Sequence, residues 1–132
     1  MDLRQYQDFV QKVTSRESDS LPDLVERLRS LDPEQASTPL LLTAAIGLSS
    51  ETGEFNEIVK KIVFQGKPLT EDNVHHMKRE LGDILWYWVS ACRALRLNPD
   101  EVLAENVAKL SGRYPGLVFS AERSENRARD DL

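Results

Sequence analysis

The stretch Ala44-Ala45-Ile46-Gly47-Leu48-Ser49-Ser50-Glu51-Thr52-Gly53-Glu54-Phe55-Asn56-Glu57-Ile58-Val59-Lys60-Lys61-Ile62 decides the fold, because apolar residues recur in it at helical spacing and a carboxylate sits among them. At about 100° per residue, Ala44, Leu48, Phe55, Ile58 and Ile62 share one arc, with Glu51 inside it and Glu54 at its border. An ionised side chain facing a core is costly unless it is paired or coordinates a metal. The pattern predicts a helix from about Pro39 to Phe64, broken at Gly66 and Pro68, that carries a working carboxylate on its packing face.

Outward from this segment the chain reads as further helices. A second acidic pair, Glu80-x-x-Asp83, lies in a periodic run from near Thr70 to about Arg96, with Glu71 and Asp72 complementing the dipole of its first turn. Its apolar stripe is Met77, Leu81, Ile84, Leu85, Trp88, Cys92 and Leu95; Glu80 flanks the stripe and Asp83 lies further round. Trp86 points away from it, which predicts a second buried face and a partner subunit, while Trp88 and Cys92 are assigned to the core. Leu3, Tyr6, Val10 and Val13 mark a first helix over roughly residues 2–14, followed by a polar loop over 15–20 and a short helix after Pro22. Asn98-Pro99-Asp100-Glu101 supplies a capping side chain, a proline at the first helical position and two acids, so the last helix starts there and ends near Arg113, before Pro115. Residues 116–132 are charged and weakly patterned, an arm ordered by contact with the body or a neighbour. Without strand alternation or repeats, the expected fold is an all-α bundle of about four to five helices in a single domain, 1–132.

Composition narrows the function. The 132 residues carry a net charge of -5 and a pI near 5.1, a balance that argues against coating a nucleic acid, since the phosphate backbone rewards clustered Lys and Arg. The opening residues lack a basic region followed by an apolar stretch, and the longest apolar run, Leu40 to Leu48, is too short to span a bilayer. With Cys92 as the single cysteine, no intrachain disulfide forms; a cytoplasmic protein without a membrane partner is expected.

Residues three apart on a helix are neighbours, so Glu51 with Glu54 and Glu80 with Asp83 form two pincers that antiparallel packing would bring face to face. Such oxygen ligands suit Mg²⁺, which commonly binds through a few carboxylates plus substrate phosphates. Asn106, Lys109 and Arg113, spaced i, i+3, i+7 on the last helix, share a face from which Lys109 and Arg113 can meet phosphate oxygens. Lys61 lies on the Glu54 side of its helix, within reach of an ion pair or of phosphate, and Lys60 and Lys61 are read first as an ion pair and dipole complement. His75 and His76 are read as exposed residues near a helix start, because neither acidic motif ends in the histidine of di-iron bundles.

Taken together, Tyr6-Gln7, Gly47-Leu48-Ser49-Ser50-Glu51-Thr52-Gly53-Glu54, Glu80-Leu81-Gly82-Asp83-Ile84-Leu85-Trp86-Tyr87 and Asn106-Val107-Ala108-Lys109-Leu110-Ser111-Gly112-Arg113-Tyr114-Pro115 resemble the MazG-like branch of the all-α nucleoside triphosphate pyrophosphohydrolases. The resemblance implies Mg²⁺-dependent hydrolysis, with Mn²⁺ as a substitute, between the α and β phosphates of an NTP or dNTP. Glu51, Glu54, Glu80 and Asp83 would be the metal ligands, with Lys109 acting in catalysis and Asn106, Lys109, Arg113 and Lys61 meeting the substrate. It further implies a homodimer or homotetramer with active sites near the subunit interface, and places Tyr6 and Gln7 near the base. Many relatives carry a second glutamate where this chain has Ser50, so water activation passes to another group, Glu54 or the metal-activated water itself. Three rival readings remain: a narrower dUTP or dCTP hydrolase on the same scaffold, a non-catalytic module that binds a nucleotide or divalent cation, and a purely structural dimerisation bundle.

Overall fold

The computed structural model describes residues 2–126, and among these every regular element is helical. The seven α-helices are α1 (Leu3–Val13), α2 (Arg16–Asp19), α3 (Leu21–Ser30), α4 (Thr38–Phe64), α5 (Glu71–Ala94), α6 (Pro99–Arg113) and α7 (Ala121–Glu125), with a 3-10 turn at Pro115–Leu117. The five longer helices fall where the periodicity places them. Two short ones were not anticipated. The expected loop over 15–20 contains α2, because Ser15 caps it by accepting from the Ser18 amide at 3.3 Å. Within the expected arm, Ser120 caps α7 in the same way; residues 127–132 lie outside the described residues.

Local chemistry sets the helix ends. Asp2 and Gln5 form a reciprocal capping box at the start of α1, with bonds of 2.8 and 3.0 Å. Between α4 and α5 the chain reverses through Gly66, whose φ of +68° suits a residue without a Cβ. Thr70 caps α5, and the buried Asn73 donates from Nδ2 to the Pro68 carbonyl at 2.7 Å, fixing the loop on the helix it precedes. At the far end α5 closes in a Schellman arrangement: the Leu97 amide reaches the Cys92 carbonyl at 2.9 Å and the Arg96 amide reaches that of Arg93. Arg96 adopts the left-handed conformation and donates from its guanidinium to the Pro33 carbonyl at 2.8 Å, tethering α5 to the connection that leads into α4.

The centre of the molecule is the antiparallel pair α4–α5. Its direction is pinned at one end, where the Ser37 amide, just before α4, donates to the Ala94 carbonyl at the end of α5 at 2.8 Å. The α4 face runs through Ala44, Gly47, Glu51 and Ile58, with Leu48, Phe55 and Ile62 half-buried beside it, so Glu51 does lie within the apolar arc. Along α5, Asn73, Met77, Glu80, Ile84, Tyr87, Ala91 and Ala94 are covered at steps of four and three, the spacing of a coiled-coil seam, and Trp88, Val89, Ser90 and Cys92 are covered beside them. Of the expected stripe, Met77, Ile84, Trp88 and Cys92 are covered, while Leu81, Leu85 and Leu95 are exposed. Glu80 sits in the seam and is 6% exposed, whereas Leu81 and Leu85 are 54% and 57% exposed. The seam follows the small and acidic residues because Gly47 admits the Tyr87 ring directly against the α4 backbone, where any Cβ would collide with it.

Cys92 is buried as expected and Trp88 is half-buried; Trp86 is 58% exposed, edge-on to Tyr87 with ring centroids 4.8 Å apart. Apolar faces are also exposed on α1 (Leu3, Tyr6, Phe9, Val10, Val13) and on α6 (Leu103, Val107, Leu110). The closest packing of α6 within the chain is with the 3-10 turn that follows it. Among the described residues no helix is long and apolar enough to cross a membrane.

Candidate metal centre

The antiparallel pairing sets the two acidic motifs opposite each other at mid-seam. Ligand oxygens of Glu51, Glu54 and Glu80 all lie within 4.8 Å of one another, close enough to share one cation. Their burial is graded: Glu80 is enclosed, Glu51 is half-buried, and Glu54 stands at the exposed mouth. Both glutamates of the α4 motif therefore converge with the first acid of the α5 motif. Asp83, one turn further along α5, is exposed and lies outside this triad, yet near enough for its charge to act on Glu51.

The electrostatics of Glu51 record the crowding. Its carboxyl is held above the ordinary glutamate range, first by desolvation in the seam and then by the negative charges of Glu54, Asp83 and Glu80, with a side-chain hydrogen bond to Glu80 adding to the effect. A proton retained on Glu51 relieves repulsion that a divalent cation would relieve more fully. Three or four carboxylate oxygens without sulfur or nitrogen are a hard donor set, which fits Mg²⁺ or Mn²⁺ and disfavours a thiophilic ion.

One contact was not foreseen. His76 Nε2 lies 3.0 Å from Glu80 Oε1, four residues along the same helix. The i, i+4 spacing of His76 and Glu80 is the sequence signal for this contact, and both histidines, His75 and His76, are exposed as expected.

The basic residues are distributed differently. Lys61 pairs with Glu57 at 3.3 Å, not with Glu54, and Lys60 pairs with the same Glu57, whose carboxyl is drawn below its usual range first by its bond to Lys60. On α6, Asn106 and Lys109 are exposed, while Arg113 is half-buried with its guanidinium 5.9 Å from the Tyr114 ring centroid. Within the described residues α6 packs most closely on the 3-10 turn that follows it. Ser50, one position before Glu51, is exposed.

Comparison with known proteins bears on this geometry. The sequence model described as the MazG nucleotide pyrophosphohydrolase domain matches residues 40–118, more than half of the chain, a range holding both acidic motifs and the Asn106, Lys109 and Arg113 face. No curated protein and no solved structure gives a match.

Proposed function

Because the chain belongs to the MazG nucleotide pyrophosphohydrolase family, we propose that it hydrolyses nucleoside or deoxynucleoside triphosphates between the α and β phosphates in a Mg²⁺-dependent reaction, releasing the monophosphate and pyrophosphate. The observation that carries this reading is the convergence of Glu51, Glu54 and Glu80 within 4.8 Å at the middle of a helical seam. A structural bundle has no use for a buried acid opposite two others, since each costs desolvation and repels its neighbours.

In this reading Glu51, Glu54 and Glu80 hold the ion, with Asp83 joining from one turn away. When bound, the divalent ion supplies charge to the triphosphate oxygens and makes a coordinated water more acidic. In this reading Glu54 takes the proton of the attacking water, supported by its being the exposed member of the triad and by Ser50 offering only a hydroxyl. Lys109, Arg113 and Asn106 grip the phosphate oxygens left uncovered and steady charge that grows on departing pyrophosphate. Lys61 is engaged in its ion pair with Glu57 one turn earlier on α4.

The chain acts as a homodimer, or a pair of dimers, in which α6 of a second copy brings its polar face to the site. The support is the large apolar area left uncovered at Leu81, Leu85 and Trp86 and on α1 and α6, more than a solitary small domain normally exposes.

The deciding experiment incubates the protein with a panel of NTPs and dNTPs, with Mg²⁺ or with EDTA, and separates the products by chromatography. Monophosphate and pyrophosphate appearing only with metal is the expected result, and the rates rank the bases. Diphosphate with orthophosphate would place attack at another phosphorus and sink the reading.

A further inference from the structure

The most enclosed ligand of the triad is held from outside by a residue with no evident task of its own. His76 keeps 54% of its side chain in solvent, and among the described residues its ion-pair contact reaches inward, Nε2 to Glu80 Oε1 at 3.0 Å. Glu80, with 7% of its side chain exposed, cannot turn to water for the same bond. Hydrogen bonds from a second group to a ligand fix its rotamer and orientation, and losing such a partner typically costs 10–100-fold in metal affinity or activity.

Resting on the metal-dependent reading above, we infer that His76 is a positioning residue: its imidazole holds one oxygen of Glu80 so that the remaining acceptor capacity of that carboxylate is aimed at the cation shared with Glu51 and Glu54. The geometry favours this over direct ligation, because the imidazole nitrogen facing the site is already committed to Glu80. It also accounts for a glutamate at position 80. The four-residue separation lets one helix provide both the ligand and its clamp without help from another element.

The test measures Mn²⁺ binding directly, by electron paramagnetic resonance of the free ion, on the full-length protein without nucleotide. His76→Ala should weaken Mn²⁺ affinity by about tenfold or more. His76→Gln, whose amide can donate across the same i, i+4 gap, should recover it to within about threefold. His75→Ala serves as the neighbouring surface control and should match the wild type. Wild-type affinity in His76→Ala would overturn the inference while leaving the metal site standing. Equal loss in both His76 variants would make the ring a ligand and also overturn it. Absence of Mn²⁺ binding by the wild-type protein would bring down the metal-dependent reading itself, and this inference with it.

Discussion

Gly47 and Tyr87 offer the sharpest test of the seam, because the contact between them fixes how closely α4 and α5 approach one turn from Glu51 on one side and Asp83 on the other. In Gly47→Ala the new methyl would overlap three atoms of the Tyr87 ring. Comfortable carbon–carbon contact needs about 3.5–4.0 Å, so the ring or the helix must shift by an ångström or more. Overpacking of this kind costs about 1–3 kcal/mol, while replacing a mid-helix glycine by alanine returns about 1 kcal/mol of backbone entropy. The net expectation is a loss of about 1 kcal/mol, or roughly 3–6 °C in melting temperature for a chain of this size. A double-mutant cycle isolates the cause. With Tyr87→Ala in the background the obstacle is gone, so Gly47→Ala should then stabilise by about 1 kcal/mol, giving a coupling near 2 kcal/mol between the two positions. Urea unfolding at fixed protein concentration, followed by circular dichroism, reads all four corners. If Gly47→Ala stabilises the chain with Tyr87 intact, or has the same effect in both backgrounds, the close approach of the two helices is refuted.

Other expectations follow from the charges. In EDTA, Glu51 keeps its proton above the ordinary glutamate range in the folded chain, so between the unfolded and folded values the folded form binds more protons and stability should fall as pH rises through that window. Glu51→Gln should flatten that fall in a melting-temperature series and remove any upward shift on adding Mg²⁺. Asp83→Asn should abolish nucleotide turnover with the helical spectrum unchanged, and near-normal rates would remove Asp83 from the site. Asn73→Ala removes one of the two donors to the Pro68 carbonyl, which keeps the Thr70 amide, and should cost about 0.5–1.5 kcal/mol, seen as a lower denaturant midpoint with activity retained.

Much of this was readable from the residues. The three long helices were placed to within about two positions because their caps and breakers are strong: Thr70 and Asn98 with Pro99 at the starts, Gly66 with Pro68 after α4. The inward turn of Glu51 followed from periodicity alone. Side-chain size does not mark the contact face. On α5 the bulky residues Leu81 and Leu85 define the most hydrophobic stripe, yet the face that meets α4 is the one complementary to a glycine and two glutamates, so Glu80 and Tyr87 occupy it. A single helix cannot disclose which of two apolar sides its first neighbour will take. Lys61 likewise meets Glu57, one turn before it, in place of Glu54. The short helices α2 and α7 depend on single serine caps, a signal too weak to outweigh a polar composition.

The placement of the carboxylate triad within one helical hairpin has a kinetic consequence. Glu51, Glu54 and Glu80 come together as soon as α4 folds back on α5 through the short turn at Gly66, a local closure that ranks among the fast events of folding. Nothing from α1, α3 or α6 is needed to complete the triad. A chain emerging from synthesis would thus hold its three assembled acids before its remaining helices had docked, and a cation captured at that moment would favour the closed hairpin over its unzipped alternatives. Ion binding would then guide the order of assembly, with the later helices and any second subunit closing over a site that already exists.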